Sequence, residues 1–301
     1  MKIFSHKHCA DGVAAAAVVD YWYRKIEKAC SLDDIEHIPI LYNETFPIDD
    51  IKKDEVVFIV DFSLQVEDME ALLEKTSKVR WIDHHKSAIE KYDKHPELTK
   101  KIKGIRSNDR SGAYLAWEFL AEGRPVPKAL EYVSDHDLWT HALEHSDHFR
   151  LGMLLYSAGD PTNALFWDPL FNTEGGEIEL EQCITAGQIL ESNSEMWRRK
   201  AKGYEVEFEG LTFLCMNKPG NSKAFMYIDD GTCDGLMTWN FTGEEYMYTM
   251  FGSKSKDNPD LSKIAAKWGG GGHWSACGMH SQHFVADPKD PRTTLEEFEA
   301  S

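Results

Sequence analysis

Short apolar runs alternate with helical segments through the N-terminal part of the chain. The runs, at residues 2–4, 38–41, 56–60 and 79–82, have the length and composition of strands, whereas segments 11–29 and 67–75 have helical patterns. This alternation predicts a mainly parallel sheet flanked by helices. Because ligands of such sheets bind beyond the carboxyl ends of the strands, the residues that follow each run are the first candidates for a functional site.

The pattern changes twice further along the chain. Residues 111–202 are largely helical and end in a long polar segment, 177–202, that is typical of a connector. After Gly203 the apolar period becomes two, with turn pairs at Glu209-Gly210 and Thr242-Gly243, which predicts antiparallel hairpins. We therefore predict an α/β fold with two domains, residues 1–195 around the parallel sheet and residues 204–301 as a smaller α+β domain.

The composition narrows the class of protein. The 301 residues carry a formal net charge of −18, which disfavours binding to long duplex nucleic acid. The longest apolar stretch, residues 13–19, is too short to span a membrane, and the first residues lack the apolar core of a signal peptide. Six cysteines without a Cys-x-x-Cys pair favour neither a zinc ribbon nor a disulfide framework. We expect a cytoplasmic protein without membrane contact. Formation of a homodimer is possible.

Acidic and histidine side chains follow three of the four strand-like runs. His6 follows the first run, Asp61 the third and Asp83-His84-His85 the fourth. Asp11, five residues after His6, and Asp135, in Ser134-Asp135-His136-Asp137, are added as further candidates. Any one of these residues alone is more often a helix cap or loop residue, and Asp11 fits an N-cap well. Together, however, carboxylates and imidazoles at one sheet edge suit Mn²⁺, Mg²⁺ or Fe²⁺. One carboxylate between two such groups could bridge a pair of these cations, and a bridged metal pair is the kind of centre that catalyses hydrolysis of phosphate esters.

These motifs resemble those of a known superfamily. Asp83-His84-His85 resembles the name-giving motif of the DHH phosphoesterases, which include single-strand exonucleases, nanoRNases, adenosine bisphosphate phosphatases, cyclic-dinucleotide phosphodiesterases and inorganic pyrophosphatases. Residues 6–11, Asp61 and Asp135 are similar to its other N-terminal motifs. Residues 267–273 resemble the Gly-Gly-Gly-His motif of the companion domain, so the resemblance covers nearly the whole chain.

The resemblance implies a role for each matching residue. A first metal would bind His6 and Asp61, and Asp61 would bridge to a second metal held also by Asp11, His84 and Asp135. Most members have Asp-x-Asp in the first motif, whereas this chain has Cys9-Ala10-Asp11. Cys9 is therefore a softer ligand, an open position for water or a sign of weakened metal binding, and His8 is an alternative ligand.

Other residues are expected to contact the substrate or to support the site. His85 would face the substrate phosphate. A glycine-rich loop lets backbone amides approach an anion, so Gly270, Gly271, Gly272 and His273 would bind phosphate, although a glycine cap after a helix explains the run as well. Arg110 is a further phosphate-binding candidate, and His136 and Asp137 are expected to support Asp135 from outside the ligand set.

The expected function is hydrolysis of short oligonucleotides (nanoRNA) or a related small nucleotide phosphoester. The resemblance implies a manganese-dependent phosphodiesterase or exoribonuclease in which a hydroxide between two metals attacks phosphorus, with Mg²⁺ and Fe²⁺ as alternative metals. A cyclic-dinucleotide phosphodiesterase and an adenosine bisphosphate phosphatase remain alternatives. A third reading takes Cys9 as the mark of a non-catalytic nucleotide-binding protein.

Overall fold

The N-terminal apolar runs form a four-stranded parallel sheet in the computed structural model, which describes residues 1–7, 9–28, 34–156, 159–172, 175–254 and 259–300. Its strands are β1 (Lys2–His6), β2 (Glu36–Ile40), β3 (Val57–Val60) and β4 (Val79–Ile82). Their order across the sheet is β2-β1-β3-β4, and every neighbouring pair is parallel. The predicted parallel sheet is thus confirmed.

Nine α-helices of the described chain accompany this sheet. They are α1 (Ala10–Tyr21), α2 (Val66–Lys75), α3 (Lys86–Tyr92), α4 (Pro96–Thr99), α5 (Gly112–Leu120), α6 (Lys128–Asp137), α7 (Ser146–Tyr156), α8 (Ala164–Phe171) and α9 (Glu177–Arg198). A single π-helical turn, Trp22–Ile26, continues α1. The helix predicted at 11–29 is therefore α-helical only to Tyr21, and its last residue lies outside the described part of the chain.

Both faces of the parallel sheet are buried, which explains why its strands are apolar without alternation. Phe58 and Val60 of β3 face one core with α1 and α5, whereas Val57 and Ile59 face a second core with α2. Four consecutive alanines of α1, Ala14 to Ala17, are fully buried. Their small side chains let this helix pack closely under the strand ends that carry the site.

Residues Met1–Glu191 and Ser192–Ser301 form two compact units. The second unit contains a six-stranded sheet of order β5-β6-β7-β8-β10-β9 and two short helices. Its elements are β5 (Tyr204–Phe208), β6 (Leu211–Asn217), β7 (Gly235–Phe241), β8 (Tyr246–Gly252), α10 (Leu261–Lys267), β9 (Gly271–His273), β10 (Ala276–Ser281) and α11 (Leu295–Glu299). Among the described residues, no helix is both long and apolar enough to cross a membrane.

The predicted hairpins are present in this second sheet. β5 and β6 pair antiparallel around Glu209 and Gly210, both at positive φ, and β7 and β8 pair antiparallel around Gly243. β6 and β7, however, are parallel neighbours, which the period-two pattern did not predict. The fold class, a mainly parallel α/β sheet plus a smaller α+β part, agrees with the structure. The catalytic and substrate-binding roles assigned to residues 1–195 and 204–301 stay predictions.

Candidate metal centre

The candidate site lies at the carboxyl ends of β1, β3 and β4. The chain leaves β1 towards β2 on one side, while β3 pairs with β1 on the other side. A crevice forms at such a switch in strand order, and ligands of open α/β sheets bind there. His6 ends β1, Asp61 directly follows β3, and His84 comes two residues after β4. The strand-end pattern in the sequence therefore corresponds to one place in the fold.

Asp61 is buried at the centre of this crevice. Its backbone has φ of +49°, a strained conformation for a residue other than glycine, and its side chain is 1% exposed. One carboxylate oxygen, Oδ1, is 3.1 Å from His84 Nε2. The other, Oδ2, has no hydrogen-bond partner among the described residues and lies 4.0 Å from His6 Nδ1. A buried carboxylate oxygen without a donor is costly unless a cation satisfies it.

His84 is surrounded by three carboxylates. Its Nε2 is 3.1 Å from Asp61 Oδ1, 3.4 Å from Asp137 Oδ2 and 3.7 Å from Asp11 Oδ2. Adjacent ligand atoms around an octahedral cation with bonds of about 2.1 Å are about 3 Å apart. Ligand atoms of Asp11, His84 and Asp137 also lie within 4.8 Å of one another, so these three groups need only small side-chain movements to hold one divalent ion.

Asp11 is fixed by the start of a distant helix. Its carboxylate accepts hydrogen bonds from the backbone amides of Gly112 (2.6 Å) and Ala113 (3.0 Å) in the first turn of α5. Asp11 thus caps α5 rather than α1, whose N-cap position is Cys9. A Cβ atom at Gly112 would lie 2.7 Å from Asp61 Cβ, so only glycine lets α5 approach the site this closely.

Asp83 orients both histidines of the DHH motif. Its buried Oδ1 accepts hydrogen bonds from the backbone amides of His84 (2.8 Å) and His85 (3.3 Å), and lies 2.7 Å from His85 Nδ1. A carboxylate bonded to Nδ1 fixes the ring orientation and leaves Nε2 of His85 as the nitrogen available to a ligand. Asp83 is therefore a positioning residue, a role that we did not assign from the sequence.

The crowded carboxylates are electrostatically strained without a cation. Burial, together with the negative charges of Asp11 and Asp137, raises the pKa of Asp61 well above its usual range. Burial and the charge of Asp11 raise the pKa of Asp137 to about 6. Like charges held together in a buried crevice disfavour ionisation, whereas a bound divalent cation would favour it. The residues present therefore fit a divalent metal.

Asp135 does not join this cluster, although the resemblance assigned it to the second metal. Its Oδ1 accepts hydrogen bonds from Thr140 Oγ1 (2.6 Å) and the amide of Ala142 (2.9 Å), and its Oδ2 from the amide of Leu143 (3.2 Å). Burial opposes its ionisation, but these bonds and one from Ser146 outweigh burial and lower the pKa of Asp135 to about 2. Asp135 thus anchors the loop after α6.

Asp137 takes the place in the cluster that was expected for Asp135. It is the last residue of α6, and its Oδ2 lies 3.4 Å from His84 Nε2. From the sequence we expected Asp137 only to support Asp135 from outside the ligand set. The sequence does show a second acidic residue in Asp135-His136-Asp137, which made Asp137 a possible ligand. Sequence spacing, however, does not tell which of the two aspartates faces the crevice.

Cys9 lies beside Asp61 and His6, with one potential ligand atom from each residue within 4.8 Å of the others. Burial and the negative charges of Asp61 and Asp11 raise the pKa of its thiol above the usual range. The thiol is therefore protonated in the absence of a metal, and a cation would have to displace its proton to bind sulfur. His8, the alternative ligand, lies outside the described residues.

Groups able to hold a metal overlap at Asp61. One comprises His6, Cys9 and Asp61, and another comprises Asp61, His84 and His85. A third, made of Asp11, His84 and Asp137, adjoins them through His84. This overlap suits two neighbouring cations that share the Asp61 carboxylate.

The remaining predicted substrate residues lie on exposed segments. Arg110 Nη1 donates to the carbonyl oxygen of Asp109 (2.9 Å), and Arg110 precedes Ser111, the N-cap of α5. In the second unit, Gly271–His273 form the exposed strand β9, and a Cβ at Gly270 would lie 2.1 Å from the carbonyl oxygen of Gly278. The glycine run thus follows α10, as a glycine cap would, and also allows close strand pairing. Its role in phosphate binding, like that of Arg110, stays a prediction.

A cavity that we did not expect from the sequence adjoins His85. It has a volume of about 360 Å³ and is lined by Tyr42, Ser63, Leu64, Gln65, His85, Ser87, Ala88, Lys91 and Tyr92. The ring of Tyr42 stacks on Phe62 at 4.5 Å and is 49% exposed. The ring of Tyr42 therefore offers an exposed aromatic surface close to His85.

Comparisons with known proteins yield distant relatives. No protein-family model matches the sequence. An uncharacterised protein of Acanthamoeba polyphaga mimivirus is 23% identical over 297 residues, which cover 92% of this chain. The match spans 66% of that relative, so the chain corresponds to just under two thirds of its length.

Solved structures resemble this chain over nearly its full length. A pGpG-specific phosphodiesterase of Vibrio cholerae superposes with a TM-score of 0.53 and 14% identity, covering 93% of this chain and 92% of that one. The exonuclease RecJ bound to manganese superposes with a TM-score of 0.46 and 13% identity, covering 93% and 85%. The similarity to the pGpG-specific phosphodiesterase and the four-stranded parallel sheet with its DHH motif together establish that this chain has the fold of the DHH phosphoesterase superfamily.

Proposed function

We propose that the chain is a metal-dependent phosphoesterase that hydrolyses short oligonucleotides or a closely related small nucleotide phosphoester. The observation that carries this proposal is the convergence of Asp11, Asp61 and Asp137 on His84, with Asp61 Oδ2 buried and lacking a donor among the described residues. A bound cation would relieve the repulsion between these carboxylates and satisfy the buried oxygen. The arrangement therefore supports a catalytic metal centre more directly than any single motif does.

Bound divalent cations, Mn²⁺ being our preferred choice, would supply charge neutralisation for the phosphate and a lowered pKa for bound water. The protein supplies the positions. Asp61 lies between the His6 and His84 sides of the crevice, where it can serve two ions at once. Asp11 is held by the first turn of α5, so its free lone pairs stay directed by a rigid helix rather than by a loop.

His85 is the residue best placed to act on the substrate. The buried Asp83 carboxylate bonds to its Nδ1, which keeps a proton there and leaves Nε2 to contact a phosphate oxygen or to transfer a proton. The side chain of His85 is 31% exposed, whereas that of His84 is 14% exposed. This difference supports a metal-holding role for His84 and a substrate-facing role for His85.

The cavity beside His85 supports a nucleotide rather than a simple inorganic phosphate as the substrate. Its volume of about 360 Å³ is large enough for a nucleobase, and the exposed ring of Tyr42 offers a surface for stacking. Lys91 also lines the cavity and could neutralise a nearby phosphate. A small substrate also agrees with the net charge of −18, which disfavours long polyanions.

The structural relative supports the choice of substrate class. The enzyme of Vibrio cholerae is named for its action on pGpG, which is a linear dinucleotide, and has the same fold over nearly the whole chain. We place short linear oligonucleotides first for this reason. A cyclic dinucleotide or adenosine bisphosphate is the alternative substrate, and a non-catalytic nucleotide-binding protein is the alternative class.

The test is hydrolysis of a substrate panel by the purified chain in Mn²⁺ and in chelator. The panel contains linear dinucleotides, RNA longer than twenty nucleotides, cyclic dinucleotides and adenosine bisphosphate. We expect manganese-dependent release of mononucleotides, fastest from the dinucleotides. If another compound of the panel is cleaved faster, that compound becomes the proposed substrate. If the metal-loaded protein cleaves none of them, the proposal of a phosphoesterase is wrong.

A matched pair of variants links any activity to the site. Asp61→Asn keeps the size of the side chain but removes the charge at the centre of the cluster, so activity should fall by at least a thousandfold. Asp109→Asn makes the same chemical change on the exposed loop before α5, where the carboxylate contacts Ser107 Oγ (3.0 Å), and should leave activity within about twofold.

A further inference from the structure

A second group of metal-binding side chains lies outside the centre described above. It consists of His136 at the end of α6, His141 in the following loop and Asp147 in the first turn of α7. Asp147 Oδ1 lies 2.8 Å from His136 Nδ1 and 3.1 Å from His141 Nδ1. All three ligand atoms are within 4.8 Å of one another. Helix, loop and helix thus each contribute one ligand to a single point.

The spacing of these atoms suits a small cation. Ligand atoms around an ion with bonds of about 2.0–2.1 Å are about 3.0–3.4 Å apart, and the two shortest spacings here are close to that range. The three side chains are 21%, 29% and 36% exposed, so an ion and a water molecule can reach them.

The backbone of the loop directs His141 towards this point. Trp139 and His141 have φ of +57° and +46°, conformations that non-glycine residues adopt only when their surroundings hold them there. The Trp139 ring packs edge-on against His141 at 4.4 Å and near His136 at 5.7 Å. Asp135 further anchors the loop through Thr140 and Ala142. The imidazoles are therefore held in place by contacts other than those with Asp147.

We propose that His136, His141 and Asp147 form a separate zinc site, with the remaining coordination position taken by water. Two imidazoles and one carboxylate favour Zn²⁺ over Mg²⁺ or Ca²⁺, whereas the carboxylate-rich centre around Asp61 favours harder ions. A zinc ion here ties α6, the loop and α7 together. It thereby fixes the segment from His136 to His141, which contains Asp137 and the exposed Trp139.

The alternative is that the three side chains only hydrogen bond to one another. In that case Asp147 accepts from both imidazoles and no ion is needed. The two readings differ in their response to metal. A hydrogen-bonded cluster gains nothing from zinc, whereas a zinc site raises the melting temperature progressively as the zinc concentration exceeds its Kd.

Zinc stoichiometry after metal removal and desalting tests the proposal. The informative variant is His141→Asn, because asparagine tolerates positive φ but is a poor zinc ligand. His145→Asn is the matched control, since His145 also has positive φ, +78°, in the same loop but lies outside the triad. We expect His141→Asn to retain one zinc equivalent fewer per chain than both the wild type and His145→Asn.

A second variant keeps the test decisive if His141→Asn is unstable. Asp147→Asn preserves the size of the side chain and a hydrogen-bonding oxygen but should also lose one zinc equivalent and the zinc-dependent rise in melting temperature. Both measurements are made with the full chain in the presence of Mn²⁺. Equal zinc content and equal zinc-dependent stabilisation in the wild type and both triad variants would overturn the proposal.

Discussion

Replacing Asp137 by asparagine should stabilise the metal-free protein. In the structure, burial and the charge of Asp11 raise the pKa of Asp137 from 3.8 to about 6. The folded state therefore binds this proton more tightly than the unfolded state does. The free energy of unfolding of the metal-free protein consequently falls as pH rises from about 4 to about 6, and stays at the lower value above pH 6.

The pKa difference sets the size of the effect. One pKa unit corresponds to about 1.4 kcal/mol, so ionised Asp137 destabilises the folded state at pH 7.5 by at most roughly 3 kcal/mol. Asparagine removes the charge but leaves a polar group in the crevice, so we expect a gain of about 1–3 kcal/mol. For a unit of this size that is a rise in melting temperature of roughly 3–10 °C.

Thermal unfolding in chelator and in Mn²⁺ measures this prediction. At pH 7.5 in chelator Asp137→Asn should melt above the wild type, and the difference should disappear near pH 4. In Mn²⁺ the order should reverse, because the wild type gains the free energy of metal binding and the variant gains less. If the variant melts below the wild type in chelator at pH 7.5, ionised Asp137 does not destabilise the metal-free folded state as we infer.

Three further predictions concern the residues around the centre. Asp135→Asn should lower the free energy of unfolding at neutral pH by about 1–2 kcal/mol, measured by chemical denaturation, because the low pKa of about 2 indicates that the ionised carboxylate stabilises the fold. This contribution of the wild-type carboxylate is lost as pH falls from about 4 to 2. The variant should bind as much Mn²⁺ as the wild type, and loss of one ion would show that Asp135 is a metal ligand. Cys9→Ser should abolish any sulfur-to-metal charge-transfer absorption of the cobalt-loaded protein if the thiol binds metal, and an unchanged spectrum would leave Cys9 outside the ligand set. Gly112→Ala should reduce Mn²⁺ affinity at least tenfold by isothermal titration, because the new Cβ meets Asp61 at 2.7 Å; wild-type affinity would show that α5 can move away freely.

The positions of the strand ends were predictable because period and polarity are local properties. Four apolar runs define the parallel sheet, and its geometry brings together whatever follows β1, β3 and β4. His6, Asp61 and His84 are therefore neighbours for a reason that can be read from the sequence. Helix boundaries were less accurate, since the helical segment predicted at 11–29 is α-helical only to Tyr21.

The geometry of α6 explains why Asp137, and not Asp135, lies beside His84. Residues two apart on a helix point in directions about 200° apart, so only one of the two aspartates can face the crevice. Asp135 instead meets the loop that folds back at Thr140–Leu143. No local pattern encodes which side of α6 that loop covers.

Long-range contacts account for the other differences. Asp11 was expected as a candidate N-cap of its own helix, but it caps α5, which begins 101 residues later. The parallel pairing of β6 with β7 likewise joins strands separated by a connection that contains the short 3₁₀ helix Ser222–Phe225. Such contacts depend on packing of whole elements, which a single sequence does not display.

Electron paramagnetic resonance of the manganese-loaded protein tests whether Asp61 bridges two cations. Two Mn²⁺ ions that share a carboxylate are magnetically coupled, so the wild type should give a coupled spectrum with two equivalents bound. Asp61→Asn should lose the coupling and at least one equivalent. A coupled spectrum that persists in Asp61→Asn, or only isolated ions in the wild type at saturation, would show that Asp61 does not bridge two ions.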